Sequence, residues 1–367
     1  MVASQPTIYD VAELAGVSIA TVSRALNPFA SIRPSTREKV LAAMDELQFV
    51  PNAVARGLSS GKHWIIGLVF MHVRTDDKFL AVEEASLVYT DMVIRGAEAR
   101  AASHGYSLLL CSAGEDHPSG VTPLQALTGS VDGVIVLDRV LEDQSLADLA
   151  RRLPVVLLAG KGESDVAVTV RVDNEQGMRS LAEHLYVVHD ITRVGFVSGF
   201  DDSPDSAARM TSFERAITAL GGTMRDEDVL HADWTAAGAH DAMQARLALD
   251  EPLPRAFACA NDQLAIGAIN ALNANGLRVP EDIVVTGFDD ISLTRYLNPP
   301  LTTVRQSSSL LGAVAVDALV ATLDGDLDVE RTIVLPTELV VRGSCGCHYE
   351  PEVKLAGASA LMSDGVG

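Results

Sequence analysis

Cysteine is scarce in this sequence: four residues in a chain of 367, at positions 111, 259, 345 and 347. That number and spacing exclude a disulfide framework and indicate reduced thiols. Long apolar runs are missing too, since none reaches the roughly 18–20 residues that span a bilayer. Residues 1–6 lack the basic and apolar segments of a signal peptide. A cytoplasmic protein with no membrane partner is therefore expected. Positive charge is in deficit, with 28 Lys and Arg against 49 Asp and Glu and a net charge of −21, which taken whole argues against nucleic acid as a partner. The deficit is uneven, however. Residues 1–62 carry Arg24, Arg33, Arg37, Lys39, Arg56 and Lys62 against Asp10, Glu13, Glu38, Asp45 and Glu46, so this end is net +1 and the remainder is −22. Catalytic signatures are also absent. No G-x-G-x-x-G follows the first strand pattern, Gly61-Lys62 is followed by His63 where a phosphate-binding loop needs Ser or Thr, and there is no G-x-S-x-G or H-E-x-x-H. No enzymatic activity and no cofactor are expected.

What is present begins with two short helical patterns around a tight turn. Ile8, Val11, Ala12 and Ala15 fall at the spacing of one buried helix face. Thr7 with Asp10 makes a capping box, and Gly16 ends the helix. Ser18 caps a second helix whose inward face is Val22, Ala25 and Leu26. A third helix is predicted to open at the capping box Ser35-x-x-Glu38, to bury Val40, Met44 and Leu47, and to stop before Pro51. The second helix then exposes Ile19, Ala20, Ser23 and Arg24. Arg24 can donate two hydrogen bonds to a guanine edge, Ile19 and Ala20 can contact a thymine methyl, and the hydroxyls of Thr7, Ser18, Thr21 and Ser23 suit phosphate oxygens. An ordinary helical pair with a solvated Arg24 has the same spacing. Residues 52–60, N-A-V-A-R-G-L-S-S, are too short for a stable isolated helix and read as a linker that can fold on contact.

Beyond Lys62 the texture changes. Aliphatic runs at 65–70, 107–111, 133–137, 155–158, 194–197 and 283–286 lack in-out alternation, as do buried strands of parallel sheets. Amphipathic helical patterns at 91–103, 177–185, 206–220 and 263–276 supply the crossovers of βαβ units. Some 280 residues of this pattern exceed one comfortable sheet, so two doubly wound α/β lobes are predicted.

The segments T-I-Y-D-V-A-E-L-A-G-V-S-I-A-T-V-S-R-A-L-N (7–27), R-P-S-T-R-E-K-V (33–40) and P-N-A-V-A-R-G-L (51–58) resemble the head and hinge of the lactose/galactose-repressor (LacI/GalR) family of transcription factors. The likeness continues through V-D-N-E-Q-G (172–177), D-W-T-A-A-G (233–238), A-N-D-Q-L-A-I-G-A (260–268), G-L-R-V-P-E-D-I-V-V-T-G-F-D-D (276–290), P-P-L-T-T-V (299–304) and P-T-E-L-V-V-R-G-S (336–344). The resemblance implies an all-α helix-turn-helix head at 1–50 and a hinge at 51–62. It implies a periplasmic-binding-protein-like body at 63–344, with one lobe of 63–168 and 305–333 and another of 170–303 and 337–344, followed by a tail at 345–367. It adds Asn27, Asn52 and Ala55 to the DNA-facing set. It also makes Leu58 the apolar wedge that unstacks a base step in the minor groove when two hinges pair. In the body it implies a small-molecule effector between the lobes, contacted by Tyr89, Arg209, Trp234, Asn261 and Asp289. Asp, Asn and Arg suit vicinal hydroxyls and an indole suits the apolar face of a pyranose, so a sugar or glycoside is expected.

Structural alternatives stay open for these residues: Trp234 as core filler, Arg209 as an interlobe salt bridge, Asn261 or Asp289 as a turn cap. The sequence departs from the family at Ser212, Ala159-Gly160 and Ser308, and in a longer acidic stretch at 72–87 that reads as a lid or a surface loop. Cys345, Cys347 and His348 form a Cys-x-Cys-His group, but no second ligand pair lies at zinc-finger spacing, so a structural or incidental role and no metal are expected. The tail carries no leucine heptad, which leaves a homodimer on a palindromic operator as the expected assembly. Three rival functions share parts of this pattern. They are a transport or sensing protein, a regulator with a purine or other metabolite as co-repressor, and an enzyme hidden in the cleft.

Overall fold

Three helices build the N-terminal unit: α1 (Ile8–Ala15), α2 (Ile19–Leu26) and α3 (Pro34–Leu47). The computed structural model describes residues 6–26, 31–49, 62–71, 87–113, 127–137, 140–141, 143–159, 164–249, 251–326 and 328–349. At the start of α1 the Asp10 carboxylate accepts from both the backbone N–H and the hydroxyl of Thr7, each at 2.7 Å. Gly16, at φ 65°, ends the helix. Ser18 Oγ then accepts from the Thr21 N–H at 3.2 Å and fixes the start of α2. Val22 and Ala25 of α2, Val11 and Ala12 of α1, and Val40 and Ala43 of α3 close a small core. The third helix begins two residues earlier than the Ser35 cap predicts. Pro34 takes the first helical position and Arg33 flanks it without a side-chain cap. A fixed φ and a missing N–H suit proline to that position, where a backbone donor has no helical acceptor. Met44 and Leu47, expected inward, are half-buried beside Val40 and Ala43.

The body contains two six-stranded sheets. The first joins β1 (Ile65–Met71), β2 (Ser107–Ala113), β3 (Gly133–Leu137), β4 (Val155–Leu158), β5 (Val168–Val172) and β11 (Thr332–Leu335) in the order β11-β5-β4-β3-β1-β2, wholly parallel. The second joins β6 (Arg193–Ser198), β7 (Thr223–His231), β8 (Ala256–Cys259), β9 (Val284–Asp289), β10 (Thr302–Arg305) and β12 (Glu338–Val340) in the order β12-β10-β9-β8-β6-β7. Only β12 runs antiparallel, on β10. All six aliphatic runs are strands. Sequence pattern misses β7, whose T-M-R-D-E-D-V-L-H is mostly polar because it is an edge strand exposed over much of its length. It also misses β5, β8, β10 and β11, which are only four or five residues long, and β12, which has three.

Helices α4 (Leu87–Ser103), α5 (Asp143–Ala150), α6 (Asn174–Glu183), α7 (Pro204–Ala219), α8 (Ala236–Leu247), α9 (Asp262–Ala274) and α10 (Ser308–Leu323) lie between the strands. Because β5 and β11 belong to the first sheet and β10 and β12 to the second, the chain passes between lobes three times. β5 carries the first lobe to Val172, beyond the crossover expected at 168–170, and β11 carries its return segment to Leu335. α10 packs on α4 and on β3, β4 and β5, which returns it to the first lobe. Within each sheet the strand order reverses beside its first strand, at β1 and at β6. In such sheets a crevice opens there, at the carboxyl ends of the strands, and ligands bind in it. No helix among the described residues is long and apolar enough to cross a membrane.

Candidate functional site

In the head, Ile19, Ala20, Ser23 and Arg24 are exposed on α2, opposite buried Val22 and Ala25. Thr7 and Ser18 are exposed at the helix starts, and Thr21 is half-buried with its hydroxyl 2.9 Å from that of Ser18. The Arg24 side chain lies along its own helix, its Nε donating to the Ala20 carbonyl at 3.3 Å. That single weak bond leaves α2 with an uncovered face of one cation, small side chains and hydroxyls, dimensions that suit a major groove. Asn27, Asn52, Ala55 and Leu58 lie outside the described residues, as does the acidic stretch 72–87 apart from Leu87, which opens α4.

The second site lies at the strand ends of the second lobe, centred on Arg209 of α7. This guanidinium is 3% exposed. Its Nε donates to Asn174 Oδ1 at 2.9 Å and its Nη1 to the Ala260 carbonyl at 2.7 Å. Asp289 lies 3.6 Å and Asp205 3.7 Å away. The guanidinium stacks on Phe288, 3.7 Å from the ring centroid, with the Trp234 ring at 5.8 Å. Asn174 in turn donates to Asp205 at 2.8 Å, and Gln306 donates to Asp289. These partners come from the starts of α6 and α7, the ends of β8 and β9, and the return segment before α10. Trp234 is half-buried, and its indole lies so close to Gly199 that a Cβ there would sit 2.2 Å from Cε2. Position 199 must therefore stay glycine for the ring to hold this place. Tyr89 of α4 brings the first lobe to the same place. Burial raises its phenol above the ordinary range, and the charges of Asp205 and Asp289 raise it further.

Strain marks this end of the sheet. Asp289 and Asp290 have φ of 116° and 56°, and Trp234 has 69°. Non-glycine residues hold such angles only where surrounding bonds enforce them, and they concentrate at functional sites. Asp290 is held by Arg342 at 2.5 Å and Arg305 at 2.8 Å. Asp262, wholly buried beneath, accepts from Thr303 and from the Ile291 N–H. Burial, and then the charge of Asp289, lift the Asp262 carboxyl well above the usual range.

Burial likewise raises Asp289 to about 6, against the opposing pull of Arg209 and Gln306. The folded form thus keeps its proton after the unfolded chain has lost it. This contribution to stability is fully present below about pH 4 and is lost as pH rises through 6. Asp289→Asn should remove that dependence. Urea titrations from about pH 4 to 7 should show the wild type losing roughly 1–3 kcal/mol more than the variant, and parallel curves would refute the assignment.

Of the five residues expected at the effector site, Arg209, Asp289, Trp234 and Tyr89 come together. Asn261 adjoins them as the cap of α9, its Oδ1 accepting from the Leu264 N–H at 2.8 Å. Arg209 does not bridge the lobes with its ion pairs, since Asp205 and Asp289 both belong to the second lobe. Asn174, Asp205, Phe288 and Gln306 were not anticipated. The one local signal was Asp205, four residues before Arg209 on the same helix face.

A further cluster stands away from the cleft. His184, His189, Cys345 and Cys347 bring their ligand atoms within 4.8 Å of one another. The second ligand pair that local spacing failed to show is therefore present, 161 residues upstream of Cys345 in the case of His184. His348 does not belong to the group.

A helix-turn-helix head on a body of two doubly wound lobes, with a polar constellation at the strand ends, defines a DNA-binding regulator with a ligand-binding body. Residues 7–52 match the bacterial regulatory proteins, lacI family, and residues 182–345 match the periplasmic binding protein-like domain. The chain is 32% identical over 342 residues to the HTH-type transcriptional repressor PurR of Photobacterium profundum, covering 92% of this chain and 98% of that protein. It is 31% identical over 341 residues to the catabolite control protein A of Priestia megaterium, with the same coverage. Among solved structures, the lac repressor dimer bound to operator and the anti-inducer ONPF superposes with a TM-score of 0.72 at 27% identity, covering 93% of this chain and 99% of that one. The transcriptional regulator CelR–cellobiose complex gives 0.65 at 27%, covering 92% and 99%. The protein belongs to the lacI family of bacterial regulatory proteins.

Proposed function

We propose that this protein is a cytoplasmic, homodimeric transcriptional repressor of carbohydrate-utilisation genes. It binds a palindromic operator and is switched by a small sugar or glycoside held between the lobes. The observation that carries the effector class is the Arg209 constellation. Two carboxylates, a carboxamide and a guanidinium converge beside the faces of Trp234 and Phe288. Polar forks for vicinal hydroxyls and flat apolar faces for C–H surfaces are what a pyranose requires. The similarity to the cellobiose complex of CelR agrees with this reading. Ligand must favour one arrangement of the lobes over the other, since equal affinity for both would leave DNA binding unchanged. The site serves binding rather than turnover, and a bound ligand should be recovered unaltered.

Two heads on one dimer match two half-sites. The first lobe offers a surface for such pairing, because the edge strand β2 exposes Leu109 and Leu110 and the adjoining α4 exposes Val88 and Met92. On DNA, Arg24 reads a base edge. Arg24→Ala should cost roughly 1–3 kcal/mol of operator affinity and relax preference at one position of each half-site. Fluorescence anisotropy against a library of operator variants checks this, and an equal loss on every sequence would reduce Arg24 to a phosphate contact.

A thermal-shift screen of sugars, glycosides, sugar phosphates and nucleobases tests the effector, since a ligand that binds only the folded state raises the midpoint. A sugar hit that disappears in Asp289→Ala and Trp234→Ala supports the proposal. The relatives named PurR favour a second reading, a regulator with a purine or other metabolite as co-repressor. A nucleobase hit that strengthens operator binding, with silence from the sugars, would establish that reading instead.

A further inference from the structure

The cluster at the far end of α6 has a geometry that no DNA contact or effector requires. His184 Nε2 lies 3.3 Å from His189 Nε2 and 3.4 Å from Cys345 Sγ. Cys347 Sγ lies 3.4 Å from His189 Nε2 and 3.8 Å from His184 Nε2. A tetrahedral zinc ion with Zn–N of about 2.05 Å and Zn–S of about 2.3 Å sets its ligand atoms roughly 3.3 Å apart for two nitrogens and roughly 3.6 Å apart for nitrogen and sulfur. These four distances already sit within a few tenths of an ångström of those edges, and all the ligand atoms lie within 4.8 Å of one another. The two imidazoles stand nearly perpendicular, at 77°, with the nitrogen atoms rather than the ring faces converging.

Two backbone features produce this convergence. Directly after α6, His184–Val188 form a π-helical turn. In an α-helix of 3.6 residues per turn, side chains five apart point about 140° away from each other. The wider i→i+5 winding of a π turn brings them over one another, and single π turns recur at functional sites. On the other side, Gly346 adopts φ 97°, a left-handed conformation that L side chains rarely hold. It turns the chain between the two cysteines so that both sulfurs face the imidazoles.

We propose that His184, His189, Cys345 and Cys347 bind one zinc ion in a closed Cys2His2 site that staples the chain after β12 to the end of α6. Two sulfurs and two imidazoles in a tetrahedron select zinc among common divalent ions, and four protein ligands leave no open position for catalysis. Ser344, next to the first ligand, is buried and donates to the Val285 carbonyl at 2.6 Å while accepting from the Thr302 N–H at 2.9 Å. The staple therefore fastens a segment already laid along the second lobe's sheet. Burial lowers both imidazoles below their ordinary range, which keeps them neutral and able to ligate, and binding displaces a proton from each thiol.

Metal content of the reduced full-length protein tests the site. Expression with added zinc and desalting should leave about one zinc per protomer by mass spectrometry. That zinc should be lost in the Cys345→Ser/Cys347→Ser double variant and kept in Cys111→Ser, whose thiol lies in the other lobe. Cobalt(II) added to chelator-stripped protein should give thiolate charge-transfer absorption and strong tetrahedral visible bands, quenched by zinc. His189→Ala, which alters only a half-buried side chain, should weaken these bands while circular dichroism stays unchanged. Protein that takes up neither metal while its thiols are reduced overturns the proposal, and so does zinc uptake unaltered in the double variant.

Discussion

Arg209→Ala is expected to abolish the response to any cleft ligand and to destabilise the second lobe by roughly 3–5 kcal/mol, the cost of stranding buried charge. The guanidinium is 3% exposed and lies within 4 Å of two carboxylates, a carboxamide and a backbone carbonyl. Its removal leaves Asp289 with Gln306 as its remaining partner, beside the already buried Asp262. Arg209→Lys keeps the charge but cannot fork between Asn174 and Ala260 while stacking on Phe288. It should recover part of the stability and little of the ligand response. Urea denaturation paired with thermal shift in saturating ligand separates the two effects. An Arg209→Ala protein with a full ligand response would remove Arg209 from the binding site.

Asp228→Ala should rank beside it in stability, at roughly 3–5 kcal/mol, while leaving the cleft chemistry intact. Asp228 is completely buried on β7. It accepts two bonds from Arg193 of β6, at 2.8 and 3.1 Å, and one from Arg246 of α8 at 2.9 Å. Arg246 is itself 2% exposed and donates onward to the Pro252 carbonyl. Deleting the carboxylate leaves the buried guanidinium of Arg246 beside the partly exposed one of Arg193 with no anion between them. A double variant, Asp228→Leu with Arg246→Met, should lose much less, because both fully buried charges go together and Arg193, the partner that remains, is partly exposed to water. Equal losses in the single and double variants would show that the cost comes from packing rather than charge.

The head was legible residue by residue because everything that forms it is local. Thr7 with Asp10, Gly16, and Ser18 with Thr21 sit within one helical turn of the groups they satisfy, and Val22 with Ala25 and Val40 with Ala43 recur at the i, i+3 spacing of a buried helix face. The misplaced start of α3, capped at Ser35 in expectation and at Arg33 in the structure, arose where two signals for a helix N-terminus adjoin and Pro34 prevailed. The lobes were legible for a related reason. A strand buried on both faces must be aliphatic throughout, as in β3 and β4, whereas the polar edge strand β7 escaped the same test.

The sites divide along the same line. Side-chain chemistry and family likeness single out Arg209, Trp234, Asn261 and Asp289, but nothing near Asn174 or Gln306 in sequence announces a partner 35 or 17 residues away. Cys345 and Cys347 advertise themselves as ligands, yet their histidines precede them by more than 150 residues and are aligned by a π turn that no residue pattern signals. The sequence by itself determined the helix-turn-helix, the two doubly wound lobes and the types of chemistry available, because period, caps and apolarity act over a few residues. Only the tertiary structure decided which charges meet, because those encounters are set by where strands from distant parts of the chain fall side by side in a sheet.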